Sequence, residues 1–188
     1  MSEGAGRKSD GNVALHTDLY QLTMLHAYWR EGLSDRAAFS LFFRQLPAAR
    51  NFLIACGLDD VLRYLEDLRF TEEALDYLRG LGFFGGAFLD WLAEFRFSGD
   101  VYAMPEGTPV FPHEPLLEVE APIGEAQLVE SFLINQIHLQ TVLASKAARV
   151  VAAARGRKVV DIAKRRMHGA DAALNGAQIG RASCRERG

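Results

Sequence analysis

The stretch that most constrains this chain is a long helical run that ends in a strand-like one. Residues 124–156, "GEAQLVESFLINQIHLQTVLASKAARVVAAARG", keep helical spacing and close at Gly156, and "KVVDIA" follows almost at once. That short apolar segment, rich in β-branched residues, has the composition of a buried strand in a parallel sheet. A long helix feeding such a strand is the opening of an α/β unit. Within the helix, His138, Thr141, Ser145 and Arg149 recur at intervals of three and four and form one polar stripe, with Lys146 beside it. Such a stripe faces solvent or lines a polar cavity, and solvent is the usual outcome for helices of this kind.

Upstream, the pattern is mixed. Leu19, Leu22, Met24, Leu25 and Tyr28 mark a helix with Thr17 or Asp18 available as N-cap and Gly32 as its stop. "AAFSLFFRQL" reads as a strand ending near Pro47. "GLDDVLRYLEDL" reads as an amphipathic helix with Leu58, Val61, Leu62 and Leu65 on one face. A second helix is capped by Thr71, carries Glu72 and Glu73 where its N-terminal dipole favours anions, and stops at Gly80 and Gly82. "GAFLDWLAEFRF" makes a third. The segment from Gly99 to Pro122 holds five of the six prolines among short β-prone runs, which predicts two or three strands joined by tight turns.

Composition narrows the function classes. The chain has 188 residues and a formal net charge of -3, a balance that gives no basis for a nucleic-acid surface or a polybasic membrane patch. No uncharged apolar run reaches the roughly 20 residues needed to span a bilayer. The polar, glycine-rich "MSEGAGRKSDGN" is expected to be a disordered tail and not a signal peptide. Only Cys56 and Cys184 are present, which argues against a disulfide framework and for a reducing, cytoplasmic setting. The five histidines are dispersed and none makes a metal-ligand pair at motif spacing, so no metal site is expected.

Two clusters carry candidate chemistry. Arg165 and Arg166 directly follow "KVVDIA", where α/β proteins bind ligands, and a guanidinium fork suits carboxylate or phosphate. His168 can exchange a proton or a hydrogen bond, Gly169 allows close backbone approach, and Asp171 can orient an arginine. A solvated basic turn, in a run that includes Lys164, is the alternative, and spacing does not choose between them. In "HTDLYQLTM", Tyr20 lies near a helix start beside Asp18. It could stack on a planar ligand, or the stretch could be a capped helix with one buried tyrosine.

Six blocks in order, "TDLYQLTM", "NFLIACGLDDVLRYLEDL", "FTEEALDYL", "FRFSGDVYAMPEGTPVFPHEPLLEVEAP", "EAQLVESFLINQIHLQTVLASKAARVV" and "VVDIAKRRMHGADAAL", resemble the nicotinate phosphoribosyltransferase family over residues 15–174. The resemblance implies a glycosyltransferase, also classed as a ligase, that joins nicotinate to phosphoribosyl pyrophosphate with ATP and Mg²⁺, in NAD salvage. It implies an α/β (α+β) fold: an open-faced α/β sandwich leading into the first helix and strand of an irregular barrel, with the active site at a homodimer interface. By the same likeness Tyr20 stacks on nicotinate. Arg165, Arg166, His168, Gly169 and Asp171 match the family's RRxxGxD block, which lies against the substrate's anionic groups. Asp18, Lys146 and Arg149 take supporting roles. His168 does not match the histidine that the family phosphorylates, so no catalytic residue is assigned. Lys164 and Ala170 depart from the family pattern, which has a small or apolar residue and a proline there. The expected domains are a tail over 1–12, the sandwich over 13–122, the connecting helix and barrel start over 123–174, and an unrelated or artefactual tail over 175–188, so that the chain is a truncated, inactive portion of the enzyme. The alternatives are a non-catalytic pyridine- or phosphate-binding domain, and a nicotinamide or quinolinate phosphoribosyltransferase relative.

Overall fold

The structure, a computed structural model, describes residues 13–160, 162, 164–167, 169, 172–176 and 179. Six α-helices and five strands are delimited among them, residues 172–176 are also helical, and single 3-10 turns lie at Val13–Leu15 and Lys164–Arg166. Two compact units divide the described chain. The first holds the residues through Ala38 together with Leu62–Asp100 and Glu120–Phe132. The second holds Phe39–Val61, Val101–Val119 and the residues from Leu133 onward.

In the first unit, α1 (Leu19–Glu31) starts after Asp18, whose extended backbone and amide bond to the Gln21 side chain set the entry. It stops at Gly32, which takes the left-handed conformation (φ 68°) that glycine adopts without a Cβ penalty. Leu22 and Leu25 are buried. α5 (Ile123–Leu128) packs against α1 so closely that a Cβ on Gly124 would stand 2.7 Å from Leu25 Cδ1. α3 (Glu72–Leu81) is capped by the Thr71 hydroxyl, which accepts from the Ala74 amide, and it ends on left-handed Gly82. α4 (Gly86–Ala93) buries Phe88, Leu89 and Leu92. His26 and Trp29 of α1 meet the Phe88 ring at centroid distances of 4.6 and 5.5 Å.

β1 (Arg36–Leu41), β3 (Asp100–Ala103) and β5 (Leu117–Pro122) form a three-stranded sheet in the order β1-β5-β3. Flanking bonds from Leu116 N–H to Leu41 O and from Ile123 N–H to Asp35 O run the outer pairing antiparallel, and Met104 N–H donates to Leu116 O on the other side. β5 alternates buried Leu117, Val119 and Ala121 with half-buried Glu118 and Glu120, the period-2 pattern of a strand with one covered face. In the second unit β2 (Leu53–Ile54) pairs antiparallel with β4 (Pro109–Val110), Leu53 opposite Val110.

Several expectations change. β1 ends at Leu41, well before Pro47. α2 (Leu58–Asp67) turns Val61, Tyr64 and Leu65 inward and leaves Leu62 40% exposed, so its buried face is rotated from the one predicted. Tyr64 takes the inner place because its ring stacks on Phe132 at 3.7 Å. The long helical run is two helices, α5 and α6 (Glu130–Ala154), separated at Val129. At this break the carbonyls of Gln127 and Leu128 accept hydrogen bonds from the Gln21 and Thr17 side chains. Of "KVVDIA", the described residues 158–160 and 162 take no regular structure, and Val160 and Ile162 are 65% and 76% exposed, unlike the buried strand expected; Asp161 and Ala163 lie outside the described residues. A parallel strand is held by neighbours at its edges, and the two assigned sheets do not include these residues.

Candidate functional site

The "TDLYQ" block builds a hydrogen-bonded cluster at the start of α1. Gln21, one turn in, is completely buried. Its Oε1 accepts from Thr17 Oγ1 (2.6 Å) and from the Asp18 amide (3.0 Å), and Ser131 Oγ lies 2.8 Å away. Its Nε2 donates to Gln127 O and to Glu130 Oε2, both at 3.1 Å. The same Glu130 oxygen accepts from the Tyr20 hydroxyl at 3.2 Å, and Asp18 Oδ2 lies within bonding distance (2.9 Å) of Ser131 Oγ. A buried amide must satisfy both ends, and here it does so by tying two segments about a hundred residues apart to each other. Only the ring of Tyr20 is left over. It is 52% exposed, anchored by its hydroxyl. Partial desolvation first, then the negative charge of Glu130, raises the phenol's pKa above its ordinary value.

Tyr20 is therefore not the buried tyrosine of the simpler alternative, and Asp18 belongs to the network that holds it. Sequence reasoning passed over Thr17, Gln21, Glu130 and Ser131. Thr17 and Gln21 lay inside the quoted block; nothing local could flag Glu130 or Ser131, which join it only through the fold.

The polar stripe on α6 does different work. Thr141 and Ser145 are buried, contrary to the solvent-facing expectation, while His138 and Lys146 are exposed. Thr141 Oγ1 donates to Cys56 O at 3.1 Å and stands 3.2 Å from the Cys56 amide. The Ile54 amide donates to Ser145 Oγ at 2.8 Å. Arg149 gives Nη1 to Ser145 O (2.7 Å) and Nη2 to Phe52 O (2.5 Å), with its guanidinium 5.1 Å from the Phe52 ring centre. The stripe is a rail on which the backbone of residues 52–56 docks, because that segment pairs with β4 for only two residues and needs other partners. It continues into Gly57, which must be glycine on two counts: its φ is 107°, and any Cβ there would stand only 3.0 Å from Gln136 O. Glu106, from the turn after β3, accepts from the amides of Gly57 (2.8 Å) and Leu58 (2.9 Å), an anion at the N-terminus of α2. Burial, reinforced by the Glu106 carboxylate, pushes the Cys56 thiol up to about 11.

Arg165 and Arg166 sit exposed in the Lys164–Arg166 turn, and Gly169 follows with φ 90°, a conformation that favours glycine. His168 and Asp171 lie outside the described residues. Among the described residues no group of three His, Cys, Asp or Glu side chains could hold a metal ion, and no helix is long and apolar enough to cross a membrane.

These features define first a class. The chain has the mixed helix-and-sheet architecture of the type II phosphoribosyltransferase fold. It superposes on nicotinate-nucleotide pyrophosphorylase from Pyrococcus furiosus with a TM-score of 0.64 at 22% identity, over 94% of this chain and 40% of that one. Human nicotinic acid phosphoribosyltransferase is more similar, with a TM-score of 0.77 and 34% identity over 89% of this chain and 34% of that one. Residues 15–138 match the family model described as the nicotinate phosphoribosyltransferase N-terminal domain, and the chain belongs to that family. It is 61% identical over 165 residues to nicotinate phosphoribosyltransferase pncB2 of Mycobacterium tuberculosis, covering 88% of this chain and 36% of that protein. It is 41% identical over 170 residues to nicotinate phosphoribosyltransferase of Bacillus subtilis, covering 90% and 35%. The chain thus spans about a third of the length of the curated relatives it matches.

Proposed function

We propose that this chain forms the N-terminal part of an enzyme that joins nicotinate to phosphoribosyl pyrophosphate, releasing pyrophosphate and giving nicotinate mononucleotide for NAD salvage, with ATP hydrolysis driving the reaction. In that enzyme the sandwich over residues 13–122 is open-faced, residues 123–174 lead into an irregular α/β barrel, and the active enzyme is a cytoplasmic homodimer. The observation that carries the reading is the half-exposed Tyr20 ring, held at its hydroxyl by a buried network, in a chain 61% identical to a relative of that name.

The chemistry suits these side chains. Nicotinate is a flat ring with one carboxylate, so it needs an aromatic face and a planar cation. Tyr20 supplies the face. Arg165 and Arg166, with His168, Gly169 and Asp171 of the same block, meet the anionic groups of the substrates, and Lys146 adds positive charge in support. Arg149 supports indirectly, through the backbone it holds at Phe52. In the reaction the nicotinate ring nitrogen forms a bond to the anomeric carbon as the bond to pyrophosphate breaks. Such a transfer through an oxocarbenium-like state is accelerated mainly by positioning and by stabilising the leaving anion. The family resemblance implies Mg²⁺, but the described residues offer no cluster fitted to it, and no step is assigned to it.

The test places residues 15–174 in the corresponding position of the Mycobacterium tuberculosis relative and assays formation of nicotinate mononucleotide, with thermal unfolding as a check on folding. We expect turnover by the chimera and none by the 188-residue chain alone. A folded chimera that binds neither nicotinate nor phosphoribosyl pyrophosphate would contradict the reading and favour a non-catalytic domain.

A further inference from the structure

We infer that Glu130 is a positioning residue for Tyr20: its carboxylate, fixed by Gln21, holds the phenol and so sets the plane of the ring. The inference rests on the reading of Tyr20 as the nicotinate-stacking residue and deepens it.

The geometry has three parts. Glu130 Oε2 accepts from Tyr20 Oη at 3.2 Å and from Gln21 Nε2 at 3.1 Å, so one oxygen couples an exposed ring to a completely buried amide. Gln21 in turn cannot move without breaking its bonds to Thr17, Asp18 and Gln127. Glu130 is also the first residue of α6, a position where the helix dipole favours its negative charge and helps keep the carboxylate in place. A tyrosine side chain has two rotatable angles. On an exposed helix turn it would sample several rotamers, and fixing its far end removes that freedom before a ligand arrives. The phenol pKa is raised first by desolvation and then by the charge of Glu130 and Asp18, which agrees with this coupling.

The experiment uses the 188-residue chain labelled with ¹³Cζ-tyrosine, with Tyr20→Phe to assign the Tyr20 resonance. Glu130→Gln keeps the shape and removes the charge. We expect it to lower the midpoint of Tyr20 ionisation towards that of an ordinary tyrosine. Nicotinate should perturb the Tyr20 resonance of the unsubstituted chain, with an affinity about three- to tenfold weaker in Glu130→Gln, the scale of one ordinary hydrogen bond. Tyr20→Phe should weaken nicotinate to a similar degree, and the double variant by no more than either alone. An unchanged Tyr20 midpoint in Glu130→Gln overturns the inference, as does a shifted midpoint with nicotinate affinity intact. If nicotinate leaves Tyr20 unperturbed in the unsubstituted chain while the midpoint still shifts in Glu130→Gln, the stacking role fails and the Glu130–Tyr20 coupling stands.

Discussion

Two polar clusters in this chain are built from similar side chains and behave oppositely. Around Gln21, buried polar groups satisfy one another and leave the Tyr20 ring half exposed. Along α6, Thr141 and Arg149 donate to the backbone of residues 52–56, Ser145 accepts from it, and the three present no unused group of comparable size. The second is a stripe at helical spacing; the first joins Thr17, Asp18 and Gln21 to Gln127, Glu130 and Ser131, about a hundred residues away. What separates them is the remainder: a network that ends on an accessible aromatic can serve a ligand, and one that ends on main chain serves the fold. Removing a member of the rail should therefore cost stability, and removing the exposed end of the first network should cost binding.

The largest effect is expected at the rail. Replacing Ser145 and Arg149 together with alanine removes the acceptor of the Ile54 amide and the donor to Phe52 O, and should lower unfolding free energy by about 3 kcal/mol, since each unsatisfied buried group costs about 1–3 kcal/mol. Urea unfolding measures it, and a change below about 0.5 kcal/mol would break the distinction between the two clusters. Gln21→Leu should cost somewhat less, about 2 kcal/mol, because Thr17 and the Asp18 amide lose an acceptor but stand near enough to the surface for water to replace it. Its discriminating sign is a simultaneous change in the Tyr20 ionisation midpoint, as Glu130 loses the Gln21 bond that fixes it.

The smallest effect concerns Cys56, beside the rail. Its thiol is pushed from an ordinary 9.0 up to about 11, so in a Cys184→Ser background iodoacetamide should label it about a hundredfold more slowly than an ordinary thiol near neutral pH. The sign for stability follows. Below pH 9 both folded and unfolded chains keep the proton, and the rail contributes fully. Between about pH 9 and 11 the unfolded chain ionises first, so the melting temperature should fall through that window. Thr141→Val, by loosening the segment that buries the thiol, should speed labelling.

Most of the helices were legible because their signals are local. The Thr71 hydroxyl, the glycines at 32 and 82 and the apolar spacing of α4 need no tertiary partner to be read. The three strands between Gly99 and Pro122 were legible from their turn residues. Three of the misreadings share one cause, which is that a distant contact decided the outcome. Tyr64 displaced Leu62 from the buried face of α2 by stacking on Phe132. The break at Val129 coincides with side chains from "TDLYQ" taking the carbonyls of Gln127 and Leu128. The burial of Thr141 and Ser145 depends on a backbone segment some 85 to 91 residues earlier in the chain. For "KVVDIA" the composition of a buried strand was present, but its described residues belong to neither assigned sheet. The family motif singled out Tyr20 and the arginines as candidates, and only the fold could add Glu130 and Ser131 beside Tyr20.

The most direct test of Tyr20 as the ligand-facing end of its network compares nicotinate dissociation constants for the unsubstituted chain, Tyr20→Ala and Ser145→Ala. Each is measured where unfolding curves show the protein to be folded. Tyr20→Ala should weaken nicotinate at least about tenfold, the scale of one lost aromatic contact, with little change in melting temperature. Ser145→Ala should keep the affinity and lower the melting temperature. Equal affinity in all three, or a loss confined to Ser145→Ala, would contradict the assignment.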